Sequence, residues 1–148
     1  MALYTSYLGF LYRKDTEYVP WYSPDGLRYV RPKTETVQRN EEVGIVTIDV
    51  VYEPVFVMRC RGNNPVEPPE MVLRLAKEGA ITWEGYRDAY LDSLNNEESL
   101  LWMQQVAKKA FDHDVVLICF ERSAEHCHRR LLAEYIQEHY TVPYKGEL

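Results

Sequence analysis

The chain has 148 residues, 46% hydrophobic and 27% charged, with a formal net charge of −6. That is enough for one domain with its own core, and the acidic balance opposes non-specific attraction to nucleic acid or to an anionic membrane surface. No apolar run approaches the roughly 20 residues of a membrane span, no leader pattern opens the sequence, and three cysteines do not make a disulfide framework. The expectation is a cytoplasmic, reduced protein with no membrane partner.

The segment 2–11 (ALYTSYLGFL) is rich in aromatic and β-branched residues and predicts a first strand, with Gly9 as a bend. Tyr4 and Tyr7 suit core and rim packing; Tyr4, Ser6 and Tyr7 are also candidate ligand-binding residues if this strand lies beside the functional one. The stretch 11–44 is irregular. Tyr18, Pro20, Trp21, Tyr22, Pro24, Gly26, Tyr29 and Pro32 break any sustained helix, and Ser23-Pro24-Asp25-Gly26 is a turn signal. A hairpin through Trp21–Tyr22 and 27–30 fits. Arg13, Lys14, Arg28, Arg31, Lys33 and Arg39 interleave with the rings. That pattern suits nucleic acid, since bases stack on rings while cations meet phosphates. It suits equally an ordered flap over the core or a homodimer contact.

A strand is predicted over 45–51, interrupted by Glu53-Pro54, and a second short one over 55–59. Cys60 between Arg59 and Arg61 reads as incidental. Pro68-Pro69 opens a helix through Lys77, with Gly79 as its stop. Thr82 caps a second helix whose Tyr86, Tyr90, Leu91 and Leu94 share a face. Asn95-Asn96 ends it, and 97–111 forms a third with Leu100, Met103, Gln104, Ala107 and Phe111 along one side. Trp83 and Trp102 read as core or rim. Asp112-His113-Asp114 is rejected as a metal site, because consecutive residues cannot converge on one ion.

The stretch that organises the rest is 115–136, VVLICFERSAEHCHRRLLAEYI. A buried-strand run ends at Glu121-Arg122-Ser123, and Leu131, Leu132, Tyr135 and Ile136 mark a helix face. Ser123 is expected as the N-cap, placing 124–127 in the first turn, where free N–H groups favour anions and lower a thiol pKa. Cys119, Glu121, His126, Cys127, His128 and Arg129 crowd this junction, at the carboxyl end of a strand, where open α/β sheets bind ligands. The helix is expected to end near His139, leaving 140–148 as a polar tail.

Cys119-x-Glu121 followed by Cys127-His128-Arg129 resembles the signature of the family catalogued as domain of unknown function 488. Tyr4-Thr5-Ser6-Tyr7 resembles its N-terminal strand, and Pro68-Pro69, Tyr86, Tyr90 and Leu94 its middle part; 11–44 departs from it. The resemblance implies a compact intracellular α/β domain and marks a site, leaving the reaction to be argued from the residues.

The expected architecture is therefore a single α/β domain over 1–148, in three layers around a small, mostly parallel sheet, with 11–44 as an aromatic, basic insert or flap. The leading functional expectation is an enzyme acting on a phosphate-bearing or nucleotide-like ligand. Cys127, His128 and Glu121 would be its nucleophile and acid/base groups, with Arg129 and Ser123 binding the anion. Cys127 does not open a phosphatase-type loop, since Ala133 stands where the arginine belongs, and the glycines of a phosphate cradle are missing. One alternative is a non-catalytic nucleic-acid- or protein-interaction module. A second is a zinc or redox site using Cys119, Cys127 and His128, ranked lower because the spacing matches no standard finger and no cofactor motif accompanies it.

Overall fold

The computed structural model describes residues 1–12, 52–58, 64–123 and 125–148, together with the backbone of four strands between 18 and 49. Its centre is strand β7 (Val115–Cys119), in which every residue is buried. A continuous apolar run suits an inner parallel strand covered on both faces. β7 pairs in parallel with β6 (Glu53–Phe56) on one side and with β1 (Leu3–Tyr7) on the other. β8 (Tyr144–Glu147) adds to the far edge of β1, also in parallel, giving the order β6-β7-β1-β8. All four carboxyl ends therefore lie along one edge of the sheet.

Alternation divides the strand side chains between two faces. Leu3, Val115, Leu117 and Cys119 join the larger core with Tyr86, Tyr90, Met103, Leu132 and Ile136. These come from α3 (Trp83–Ser93), α4 (Glu97–Asp112) and α5 (His128–Tyr140). Val116 and Ile118 turn the other way, against Leu11, Tyr52 and Tyr4. That thinner layer is built by α1 (Leu8–Tyr12) and the approach to β6. The fold is an α/β domain with its helices weighted to one face of a small, all-parallel sheet.

The helix ends follow local chemistry. Thr82 Oγ1 accepts the Gly85 N–H at 3.0 Å, capping α3 as expected, and Asn96, read from sequence only as a helix end, also caps α4 by accepting the Ser99 N–H on Oδ1 at 2.9 Å. α2 (Glu70–Lys77) stops at Gly79, whose φ of 69° allows the Ala80 N–H to reach the Leu75 carbonyl at 2.9 Å. Tyr90 is wholly buried, and its hydroxyl donates to the Val66 carbonyl at 2.7 Å.

Several expectations change. The first strand ends at Tyr7, because Leu8 and Leu11 take helical spacing and Leu11 buries completely against the second face. Pro54 lies inside β6 rather than interrupting it, which is tolerated because β6 is an edge strand. The buried side of α4 is Met103, Val106, Ala107 and Ala110, with Gln104 and Phe111 exposed. The expected polar tail instead forms β8, anchored by fully buried Val142 and by a Thr5–Tyr144 hydroxyl contact of 2.6 Å.

Within the insert, β2 (Tyr18–Tyr22) and β3 (Arg28–Pro32) form the expected antiparallel hairpin, with Tyr22 opposite Arg28. β4 (Thr36–Glu41) and β5 (Gly44–Asp49) form another. The insert's side chains beyond Tyr12, the 23–26 turn and Cys60 with its flanking arginines lie outside the described residues. Among the described residues no helix is long and apolar enough to cross a membrane.

Candidate functional site

β7 delivers Cys119 at its carboxyl end, and α5 starts at His128 with Cys127 as its N-cap. The N-cap thus lies four residues beyond Ser123. The Ser123 hydroxyl accepts the Glu125 N–H at 3.2 Å, closing a local turn in the loop instead of capping the helix. Ser123 is exposed and does not line the site.

The loop folds so that Cys119, Cys127 and His128 come together, all buried, with their donor atoms within 4.8 Å of one another. His128 Nε2 lies 2.7 Å from the Val57 carbonyl, just past β6. A carbonyl only accepts, so Nε2 carries the proton, and Nδ1 faces the two sulfurs at 3.7 Å (Cys119) and 3.9 Å (Cys127). The two thiols are unlike. The neighbouring Cys127 thiol is the largest influence on Cys119 and draws it below the ordinary thiol range against the effect of burial, with the Glu121 backbone adding to this. Cys127 is pushed up by the neighbouring Cys119, and burial adds to this. Cys127, the sequence candidate, and Cys119 both face the cavity.

Arg129 is fully buried and spans the loop. Its Nε and Nη2 grip the Glu147 carboxylate at 3.2 and 2.7 Å. Nη1 donates to the Glu121 carbonyl and, at 3.5 Å, to Cys127 Sγ, while Nη2 also reaches the Arg122 carbonyl at 3.3 Å. A guanidinium has five N–H donors, and these five contacts use all of them. Burial alone would depress its pKa; the Glu147 carboxylate more than offsets that and raises it. Arg129 therefore clamps the 121–127 loop to β8, and no donor remains for a ligand anion.

Cys119, Cys127 and His128 form part of the lining of a cavity of about 560 Å³. One wall is aromatic: the Trp83 ring stacks on His126 at 4.8 Å and on Tyr86 at 5.3 Å. Phe120, largely exposed, stands at the rim with Glu121 and Lys77. Burial, with the neighbouring thiols and Glu121 adding to it, raises the Tyr86 hydroxyl pKa, so it stays protonated. The N-caps of α3 (Thr82) and α5 (Cys127) both line this space, so two helix N-termini converge on it.

Of the sequence candidates, Cys127, His128 and Glu121 line the cavity, whereas Tyr4, Ser6 and Tyr7 do not. Tyr4 packs edge-on against Tyr52 beneath the opposite face, ring centroids 5.2 Å apart. Ser6 pairs in register with Ile118, whose side chain belongs to that same face. Tyr7 sits beside Cys119 in the sheet, but its ring rests near Phe10 at 5.8 Å. Sequence reading missed Glu147 and the Trp83–Tyr86–His126 wall. The wall had a signal: Trp83 and Tyr86 are three apart on a capped helix, hence on one side of it. Glu147 had none, because its partner is distant in sequence.

The family model described as the Active DUF488-N3 subclade matches residues 65–140, just over half of the chain. The match runs from the approach to α2 through α5 and takes in both cysteines, His128 and Arg129, but leaves out Glu147. No curated protein and no solved structure matches the chain. On the strength of that span and of the Cys119…Arg129 junction within it, the chain belongs to the DUF488 family, in its Active DUF488-N3 subclade.

Proposed function

We propose that this chain is an enzyme acting on a phosphate-bearing, nucleotide-like ligand held in the cavity at the β7–α5 junction. One observation carries the reading: an aromatic wall, two helix N-termini and a Cys–Cys–His cluster converge on a single concave space. Rings such as Trp83, His126 and Tyr86 suit a planar base, which stacks with little sequence preference. The N-termini of α3 and α5 suit an anion, with Lys77 at the rim adding charge. The cluster supplies the reactive groups. Arg129, expected from sequence to bind the anion, acts here as the positioning residue that holds Cys127 and the loop.

The test is calorimetric titration of nucleoside monophosphates and of the matching nucleosides into the full chain, with chromatographic analysis for products. Monophosphates should bind more tightly than nucleosides. Trp83→Ala should weaken binding by about tenfold, the scale of one stacked base at 1–3 kcal/mol. Equal binding of nucleosides and monophosphates removes the phosphate from the reading. Binding without any turned-over ligand makes the chain an interaction module instead.

A further inference from the structure

We infer that Cys119, Cys127 and His128 form a zinc-class metal site with three protein ligands and one open position facing the cavity. The inference rests on donor geometry and not on which organic ligand the cavity takes. Zinc bonds of about 2.3 Å to sulfur and about 2.1 Å to nitrogen, at tetrahedral angles, place a sulfur and a nitrogen about 3.6 Å apart. His128 Nδ1 stands 3.7 Å from Cys119 Sγ and 3.9 Å from Cys127 Sγ. All three donor atoms fall within 4.8 Å of one another, against about 3.8 Å between two sulfurs on one tetrahedral zinc, so the thiols need to close by no more than about 1 Å to hold a metal between them.

The surroundings match as well. A metal-binding imidazole usually donates its other N–H to a carboxylate or carbonyl, which fixes the tautomer and turns the free nitrogen toward the ion. His128 does this through Nε2 and the Val57 carbonyl at 2.7 Å. Arg129 Nη1, 3.5 Å from Cys127 Sγ, offers a donor to a metal-bound thiolate and offsets its charge. Two thiolates and one imidazole favour zinc over magnesium or calcium, which take oxygen.

The fourth corner gives the site its character. Among the described residues the cluster contains three donors, and all three line the cavity. Structural zinc sites are closed by four protein ligands, whereas three ligands and an open corner are the arrangement that accepts water or a ligand oxygen. The open position would therefore take an oxygen or nitrogen donor, from solvent or from the cavity's occupant.

The experiment uses the full chain purified under reducing conditions. Zinc per chain is measured by elemental analysis, affinity by competition with a chromophoric chelator, and ligand type by cobalt(II) substitution. One zinc per chain should be found, and cobalt should give the intense visible bands of tetrahedral coordination with sulfur-to-cobalt charge transfer. Azide or imidazole should shift those visible bands by entering the open corner. Cys127→Ser and His128→Gln should each weaken zinc binding at least tenfold; because either variant could misfold, the cobalt spectrum of the unaltered chain carries equal weight. Absence of sulfur-to-cobalt charge transfer, or full zinc retention in both variants, overturns the site. Cobalt bands indifferent to azide and imidazole overturn the open corner. Metal binding and nucleotide binding are read separately, so either result can fail without the other.

Discussion

At the scale of single residues, the junction assigns different tasks to neighbours that look alike in sequence. Cys119 and Cys127 share one buried environment, within 4.8 Å of each other, yet their proximity pulls the Cys119 pKa down and pushes that of Cys127 up. In metal-free protein Cys119 should alkylate at lower pH than Cys127, and Cys127→Ala should move the Cys119 profile upward, as followed by peptide mass spectrometry. Simultaneous labelling of both thiols, or a Cys119 profile indifferent to Cys127→Ala, would rule out this hierarchy. Arg129 is a different kind of residue, a cation fully enclosed by carbonyls, a sulfur and a carboxylate. Arg129→Met should cost about 3 kcal/mol in urea unfolding, because it leaves Glu147 and two carbonyls without their donor. Arg129→Lys should recover little, since three donors on a flexible stem cannot replace a five-donor fork. A loss below about 1 kcal/mol, the scale of an exposed ion pair, would mean that the clamp is not a main tie between loop and β8.

Between elements, the sheet is tied at both edges by side chains from distant helices. On one edge, Glu53 of β6 meets His113 at 2.5 Å and Lys109 at 3.1 Å, joining the strand to the end of α4. Burial pushes this carboxyl up, but hydrogen bonds from His113 and Lys109 win and its pKa lies below the ordinary 4.5. A carboxyl depressed in the folded state stabilises above its unfolded pKa, and that stabilisation disappears as pH falls through the folded value. Glu53→Gln should therefore be less stable than the parent by about 1 kcal/mol at neutral pH. The gap should close on acidification below 4.5. A gap independent of pH would mean that the loss comes from packing. On the other edge, β8 is held through Leu3 and Thr5 of β1 and through Arg129, so the two edges are secured independently.

Across the whole molecule, the all-parallel sheet explains why the reactive groups stand where they do. Strands running the same way bring the end of β6, with the Val57 carbonyl, beside the end of β7, with Cys119. α5 returns over that edge and adds Cys127 and His128. Zinc bound only by the folded chain would raise the unfolding midpoint, and a chelator would lower it again, by mass action. The helices α2 to α5, the Thr82 cap, the buried β7 and the Cys119…Arg129 junction were legible in the sequence, because each is set by contacts a few residues apart: 3.6-residue spacing, a capping side chain, an unbroken apolar run. The strand fate of 144–147, the start of α5 at His128 and the enclosure of Arg129 were not, because each depends on a partner far along the chain. By itself the sequence determined which residues gather at the β7–α5 turn and that an α/β sheet surrounds them. The tertiary structure decided that Arg129 ties the loop to Glu147 of β8 and that His128 turns Nδ1 toward both thiols, since burial and hydrogen-bond partners exist only once distant segments meet.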